Sequence, residues 1–80
     1  MDTREAIVNR IKGLCEEKGF TINGIATHSA VPQGTVSDIV LGKTKNPGAV
    51  TIKKLCDGFG ITLGEFFGTE VFDGLEQEVR

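Results

Sequence analysis

The chain has no run of eighteen apolar residues, so no segment has the length and hydrophobicity of a membrane-spanning helix. It holds one histidine and two cysteines among 80 residues. Cys15 and Cys56 stand far apart at apolar helical positions, with no CxxC, and read as buried thiols rather than metal ligands or a disulfide. There is no Gly-rich phosphate loop, no metal-ligand cluster and no nucleophile elbow, and His28 has no Cys or Ser partner at motif spacing. Enzyme chemistry, a metal and a cofactor therefore find no support, and no small-molecule ligand is evident. The start, Met1-Asp2-Thr3-Arg4-Glu5, is charged and is not followed by an unbroken apolar core, which makes the cytoplasm the expected compartment. Repeats, low-complexity linkers and strictly alternating strand patterns are absent as well.

An excess of positive charge is also missing: the formal net charge is −2. Its distribution is uneven. Residues 1 to 64 hold eight Lys or Arg against six Asp or Glu, whereas residues 65 to 80 hold one against five, so the acidity sits in the tail. Between residues 32 and 54, Lys43, Lys45, Lys53 and Lys54 stand against Asp38 alone, which makes the local field positive.

The length and a hydrophobic content of 39% suit one small soluble domain. A first helix is predicted from Arg4 to Lys18, capped by Asp2 or Thr3, with Ile7, Ile11, Leu14 and Cys15 as its inward stripe and Gly19 as its stop. Thr21 caps a second helix, with Phe20 placed to staple onto Ile25. A third begins at Pro32 or Gln33 and ends at Gly42, and a fourth from Gly48 carries Ile52, Leu55, Cys56 and Phe59. Thr62-Leu63-Gly64-Glu65 is a capping box opening a fifth, with Ile61 and Phe66 as its staple pair. From Thr69 to Arg80, Val71, Phe72, Leu75 and Val79 fit one face of a short sixth helix, which Gly74 weakens by about 1 kcal/mol. The expected division is a domain at 1–68 and an acidic tail or short helix at 69–80 that packs on the domain or on a second subunit, with the second subunit preferred.

Residues 21 to 42 are the most informative. They read as two short helices joined by a tight turn, with Ile22, Ile25, Ala26, Val31, Val36 and Ile39 facing inward and Gln33, Gly34, Thr35, Ser37 and Asp38 facing outward. Ala26 is the small residue needed where the helices cross. The ordered set Ile25-Ala26, Val31, Gln33, Thr35-Val36-Ser37, Ile39, Gly42 to Pro47, Thr51 to Leu55 and Gly60 to Leu63 resembles the Cro/C1-type (XRE, phage-repressor-like) helix-turn-helix family. The resemblance implies an all-α, five-helix lambda-repressor-like domain that places the helix at about 33–41 in the major groove. Two departures stand out. Ala30 occupies the turn position where the family often has Gly, at a cost on the order of 1 kcal/mol if the turn needs positive φ. Pro32 replaces the usual Ser or Thr cap, and proline is tolerated at a first helical position.

Gln33 is the implied reader of adenine, through a bidentate amide, or else a solvated helix-end residue. Gly34 allows close backbone approach, Thr35 suits a phosphate or a thymine methyl, and Asp38 suits cytosine N4 or, equally, a pairing with a nearby Lys. Thr21 and Asn23 sit where a helix N-terminus favours phosphate, and Ser37 suits a phosphate or a packing hydrogen bond. Lys43, Thr44, Lys45 and Asn46 form a second phosphate clamp in the loop behind the reading helix. The reading is a sequence-specific regulator of transcription, of repressor type, binding double-stranded DNA as a homodimer. The competing class is a protein-interaction module or antitoxin on the same scaffold, which the acidic balance and Asp38 favour.

Overall fold

The computed structural model describes residues 1 to 79. Six helices follow one another: α1 (Thr3–Lys18), α2 (Ile22–His28), α3 (Gln33–Val40), α4 (Ala49–Phe59), α5 (Leu63–Phe67) and α6 (Glu70–Asp73), with no strand among the described residues. The chain is therefore all-α, as its pattern of apolar spacings implies. Among the described residues no helix is long and apolar enough to cross a membrane.

The helix starts are set by local chemistry. Asp2 accepts from the backbone N–H of Glu5 at 2.8 Å, Thr21 from Gly24 at 2.9 Å, and both arms of the Thr62–Glu65 capping box close at 3.0 Å. Each satisfies N–H groups that the first helical turn cannot use internally. Of the two starts expected for α3, Pro32 or Gln33, the structure takes Gln33, with Pro32 in the cap position. Pro32 has φ −54° and ψ 135°, and it provides no side-chain acceptor.

The core stripe of α1 is wider than its predicted four positions, because Ala6 and Val8 are buried beside Ile7, Ile11, Leu14 and Cys15. A helix packed by α2, α3 and α6 together needs more than one narrow face. Phe20 packs against the core cluster that holds Ile25 and also makes aromatic contacts. Its ring lies 6.0 Å from that of Phe59 and 5.3 Å from that of His28, so it closes the ends of α2 and α4 together. Arg10 of α1 fixes α5: Nε donates to the carbonyl of Phe66 at 3.0 Å and Nη2 to that of Glu65 at 2.9 Å. A five-residue helix leaves most of its carbonyls without internal partners, and the guanidinium supplies two donors in one rigid fork.

The tail corrects the sequence reading. Only Glu70–Asp73 is helical, so Leu75 and Val79 do not share a helix face with Val71 and Phe72. Phe66 is fully buried within the single chain, and Phe72 packs at 6.1 Å from Phe66 and 5.0 Å from Phe67. Thr3 donates to the Glu78 carboxylate at 2.8 Å, which lays the last residues over the start of α1. Much of the tail thus belongs to the monomer, whereas Val71 and Val79 stay exposed.

Two features hold α2 against its neighbours. Gly58 lets α4 approach α2 closely, since a Cβ there would lie 1.9 Å from Ser29 Oγ and 3.3 Å from Ile25 Cδ1. The Ser29 hydroxyl is itself buried and unpartnered. The second feature is the turn after α2, where Val31 N–H donates to the carbonyl of Ala26 at 2.9 Å and Ala30 N–H to that of Thr27 at 3.2 Å. This crossed pair is a Schellman closure, and its left-handed residue is Ala30 at φ 56°.

An alanine Cβ is strained in that conformation. Ala30→Gly should therefore stabilise the domain by about 0.5 to 1 kcal/mol, or roughly 2 to 8 °C in Tm. Thermal unfolding followed by circular dichroism checks this, and a lowered Tm would mean that the added freedom of the unfolded chain outweighs the relieved strain.

Candidate nucleic-acid interface

The burial of two residues sets the outward face of α3. Val36 and Ile39 are 0% and 1% exposed, so the helix cannot rotate without withdrawing both from the core. That phase leaves Gln33, Gly34 and Asp38 exposed and Thr35 and Ser37 half-buried. A Cβ built on Gly34 would meet nothing within 4 Å. No intramolecular packing requires glycine there, and its lack of a side chain leaves the first turn of α3 open to an approaching surface. Gln33 does not wave freely: its Nε2 donates to Thr27 Oγ1 at 3.2 Å, across the α2–α3 turn.

Three of the sequence-predicted phosphate residues come together. Thr21 and Asn23 at the start of α2 and Ser37 on α3 line one open groove with Val40 and Leu41. Thr21 Oγ1 is already engaged as the helix cap, while Leu41 is 67% exposed at the groove's edge.

The loop after α3 is tied to the helix that precedes it. Gly42 takes φ 79°, its N–H donates to the carbonyl of Ile39 at 3.1 Å, and Lys43 N–H and Thr44 N–H reach the carbonyl of Asp38 at 2.8 and 3.2 Å. A left-handed residue is needed at this position to let the following N–H groups turn back, which is why glycine suits it. Arg4 of α1 lies over the same turn, with Nη1 3.0 Å from where a Gly42 Cβ would stand. The side chains of Lys43 and Lys45 are exposed, and Lys53 with Asp57 is the ion pair found among the described residues. Lys45 and Asn46 line a cleft with Gly42, Asp2, Arg4 and Glu78. Of the four predicted clamp residues, Lys43 and Thr44 are tied by their backbone N–H groups to α3, and Lys45 and Asn46 border a cleft of mixed charge.

Thr27, Leu41 and Arg4 are the neighbours of this face that the sequence reading passes over. Thr27 and Gln33 are six residues apart, a separation that brings side chains together only once the turn conformation is known. Burial pushes the thiols of Cys15 and Cys56 above their ordinary pKa, with Asp57 adding to the effect at Cys56. They are protonated core residues. Among the described residues no three His, Cys, Asp or Glu side chains gather to hold a metal ion.

Comparison with known proteins agrees with this geometry. The chain is similar to the HTH-type transcriptional repressor RghR of Bacillus subtilis (strain 168), with 37% identity over 57 residues. That match takes in 71% of this chain and 42% of the repressor, so the chain spans less than half the length of that relative. The crystal structure of the prophage Lp1 protein 11 superposes with a TM-score of 0.81 at 30% identity, covering 94% of this chain and 100% of that one. The family model described as the Cro/C1-type HTH DNA-binding domain matches residues 10–71, from the arginine that clamps α5 through α2, α3 and the basic loop into α6. On that match, over most of its length and over every element that positions the α3 face, the chain belongs to the Cro/C1-type helix-turn-helix DNA-binding family.

Proposed function

We propose that this chain is a sequence-specific regulator of transcription, of repressor type, that binds double-stranded DNA as a homodimer and reads the major groove with α3. The observation that carries the reading is the phase of α3. Burial of Val36 and Ile39 leaves Gln33, Gly34 and, one turn on, Asp38 exposed on α3, with Thr35 half-buried beside them. In this arrangement the Gln33 amide pairs with adenine N6 and N7, Thr35 meets a thymine methyl or a phosphate, and Asp38 accepts from cytosine N4. Thr21, Asn23 and Ser37 border a groove beside the helix and receive one stretch of backbone phosphate, while Lys43, Thr44, Lys45 and Asn46 receive another. Gln33→Ala should cost about 1 to 3 kcal/mol of specific affinity and relax one base pair per half-site, with random duplex bound nearly as before. A uniform loss on all sequences would remove Gln33 from base reading.

The basic loop contributes to affinity rather than choice. Lys43→Ala and Lys45→Ala should weaken all duplexes alike, and each should reduce the slope of log affinity against log salt by roughly one, the share of a single neutralised phosphate. Titrations over a salt series measure this, and unchanged slopes would place the loop off the backbone. The cleft that Lys45 shares with Asp2 and Glu78 supports a second reading, a protein-interaction module or antitoxin on the same scaffold. Affinity for random duplex that ignores salt would favour it.

The dimer rests on apolar surface the monomer leaves uncovered. Leu63, Phe67, Val71 and Val50 are 39%, 36%, 54% and 71% exposed, all on α4 to α6. None of the four lies on α3 or lines the groove beside it, so a partner seated on them is compatible with a free outward face of α3. Two half-sites about one helical turn of DNA apart then multiply specificity. Val50→Ser and Val71→Ser, at exposed positions outside the aromatic cluster, should each lower dimer affinity and operator affinity together with helicity unchanged. Sedimentation velocity of parent and variants decides it, and identical association would place the interface elsewhere.

A further inference from the structure

We infer that Thr27, on the last turn of α2, is a positioning residue for base recognition: its hydroxyl holds the Gln33 amide in place for the base pair that Gln33 reads. This rests on the reading of Gln33 given above and adds a residue to it.

The inference starts from the hydrogen bond between Gln33 Nε2 and Thr27 Oγ1, 3.2 Å long and formed between two exposed side chains. A glutamine amide has two N–H donors and an acceptor oxygen. The bond to Thr27 uses one N–H. In the pose we infer, Thr27 takes the N–H that points away from Oε1 and leaves the N–H beside Oε1, the pair that adenine requires, with that N–H donating to N7 and Oε1 accepting from the N6 amino group. Thr27 therefore leaves the recognition edge whole while restricting the plane and location of the amide.

Restriction matters because a free glutamine is among the side chains that lose most rotamer freedom on being fixed. An anchor present before DNA arrives removes part of that loss from the binding step. Threonine is suited to the task, since its branched Cβ limits χ1 and puts the hydroxyl on a stiff support. The backbone supplies the rest. Residues six apart meet here because the Schellman closure at Ala26 to Val31, with Ala30 at φ 56°, turns the start of α3 back toward the end of α2.

The test uses the full chain and a duplex selected by the parent protein from a random pool. Thr27→Val keeps the branched shape and removes the hydroxyl. It should weaken the selected duplex about 2- to 10-fold and lower discrimination at the same base pair that Gln33→Ala relaxes, with random duplex and salt slope unchanged. Thr27→Ser should recover most of the affinity, and in the Gln33→Ala background Thr27→Val should add nothing. Circular dichroism confirms that each variant is folded, and Thr27→Ala replaces Thr27→Val if that one is not. A loss shared by all duplexes, or the same loss with and without Gln33, would overturn the assignment. If Gln33→Ala leaves base preference intact, the reading of Gln33 fails and this one with it. A Gln33 effect without a Thr27 effect removes only the role of Thr27.

Discussion

The left-handed turn at Ala30 is the constraint on which the rest of the interface depends. Two crossed backbone hydrogen bonds, from Val31 to Ala26 and from Ala30 to Thr27, fix where the chain leaves α2. From there Val31 enters the core, and beyond Pro32 and the first turn of α3 Val36 does the same. Once Val36 and Ile39 are seated, the outward face of α3 has no remaining rotational freedom. Ala26, with no exposed surface at all, lets the two helices stay close enough for this to happen. A strain on the order of 1 kcal/mol at one residue is small beside the burial of three branched aliphatic side chains, each contributing about 1.5 to 3 kcal/mol.

The second support is Arg10, whose forked donors join the end of α5 to the middle of α1 and whose guanidinium lies 5.9 Å from the centre of the Phe66 ring. It explains how a five-residue helix persists at all, since helices this short are marginal by themselves. With α5 held, Phe66, Phe67 and Phe72 form one aromatic cluster, and that cluster determines the path of the tail.

Much of this is legible in the sequence where the signal is local. Caps at Asp2, Thr21 and Thr62 depend on residues three apart, and the stripes of α1 and α4 depend on spacing alone. The exposure of Gln33, Gly34 and Asp38 on α3 is legible for the same reason, because Val36 and Ile39 fix the helix phase, whereas Thr35 and Ser37, also expected outward, flank that face half-buried. Contacts between distant segments are not. Local spacing pairs Phe20 with nearby Ile25, but it gives no sign that the same ring rests against Phe59, 39 positions away. The tail pattern fits a longer helix, but helical backbone ends before Gly74 and the aromatic contacts favour docking over extension. The partner of Gln33 depends on turn geometry, and the loop from Lys43 to Asn46 has no periodicity from which side-chain direction follows.

The two cysteines carry a consequence of a different kind. Cys15 and Cys56 sit on separate helices, α1 and α4, 5% and 0% exposed, in surroundings that keep the thiol protonated. The thiolate is the reactive form, so both sulfurs are chemically silent while the helices remain packed. Each becomes reactive only when its own helix separates from the core. The chain thus contains two natural clocks for breathing motions, one on α1 and one on α4, and the order in which they start reports which side of the domain opens first.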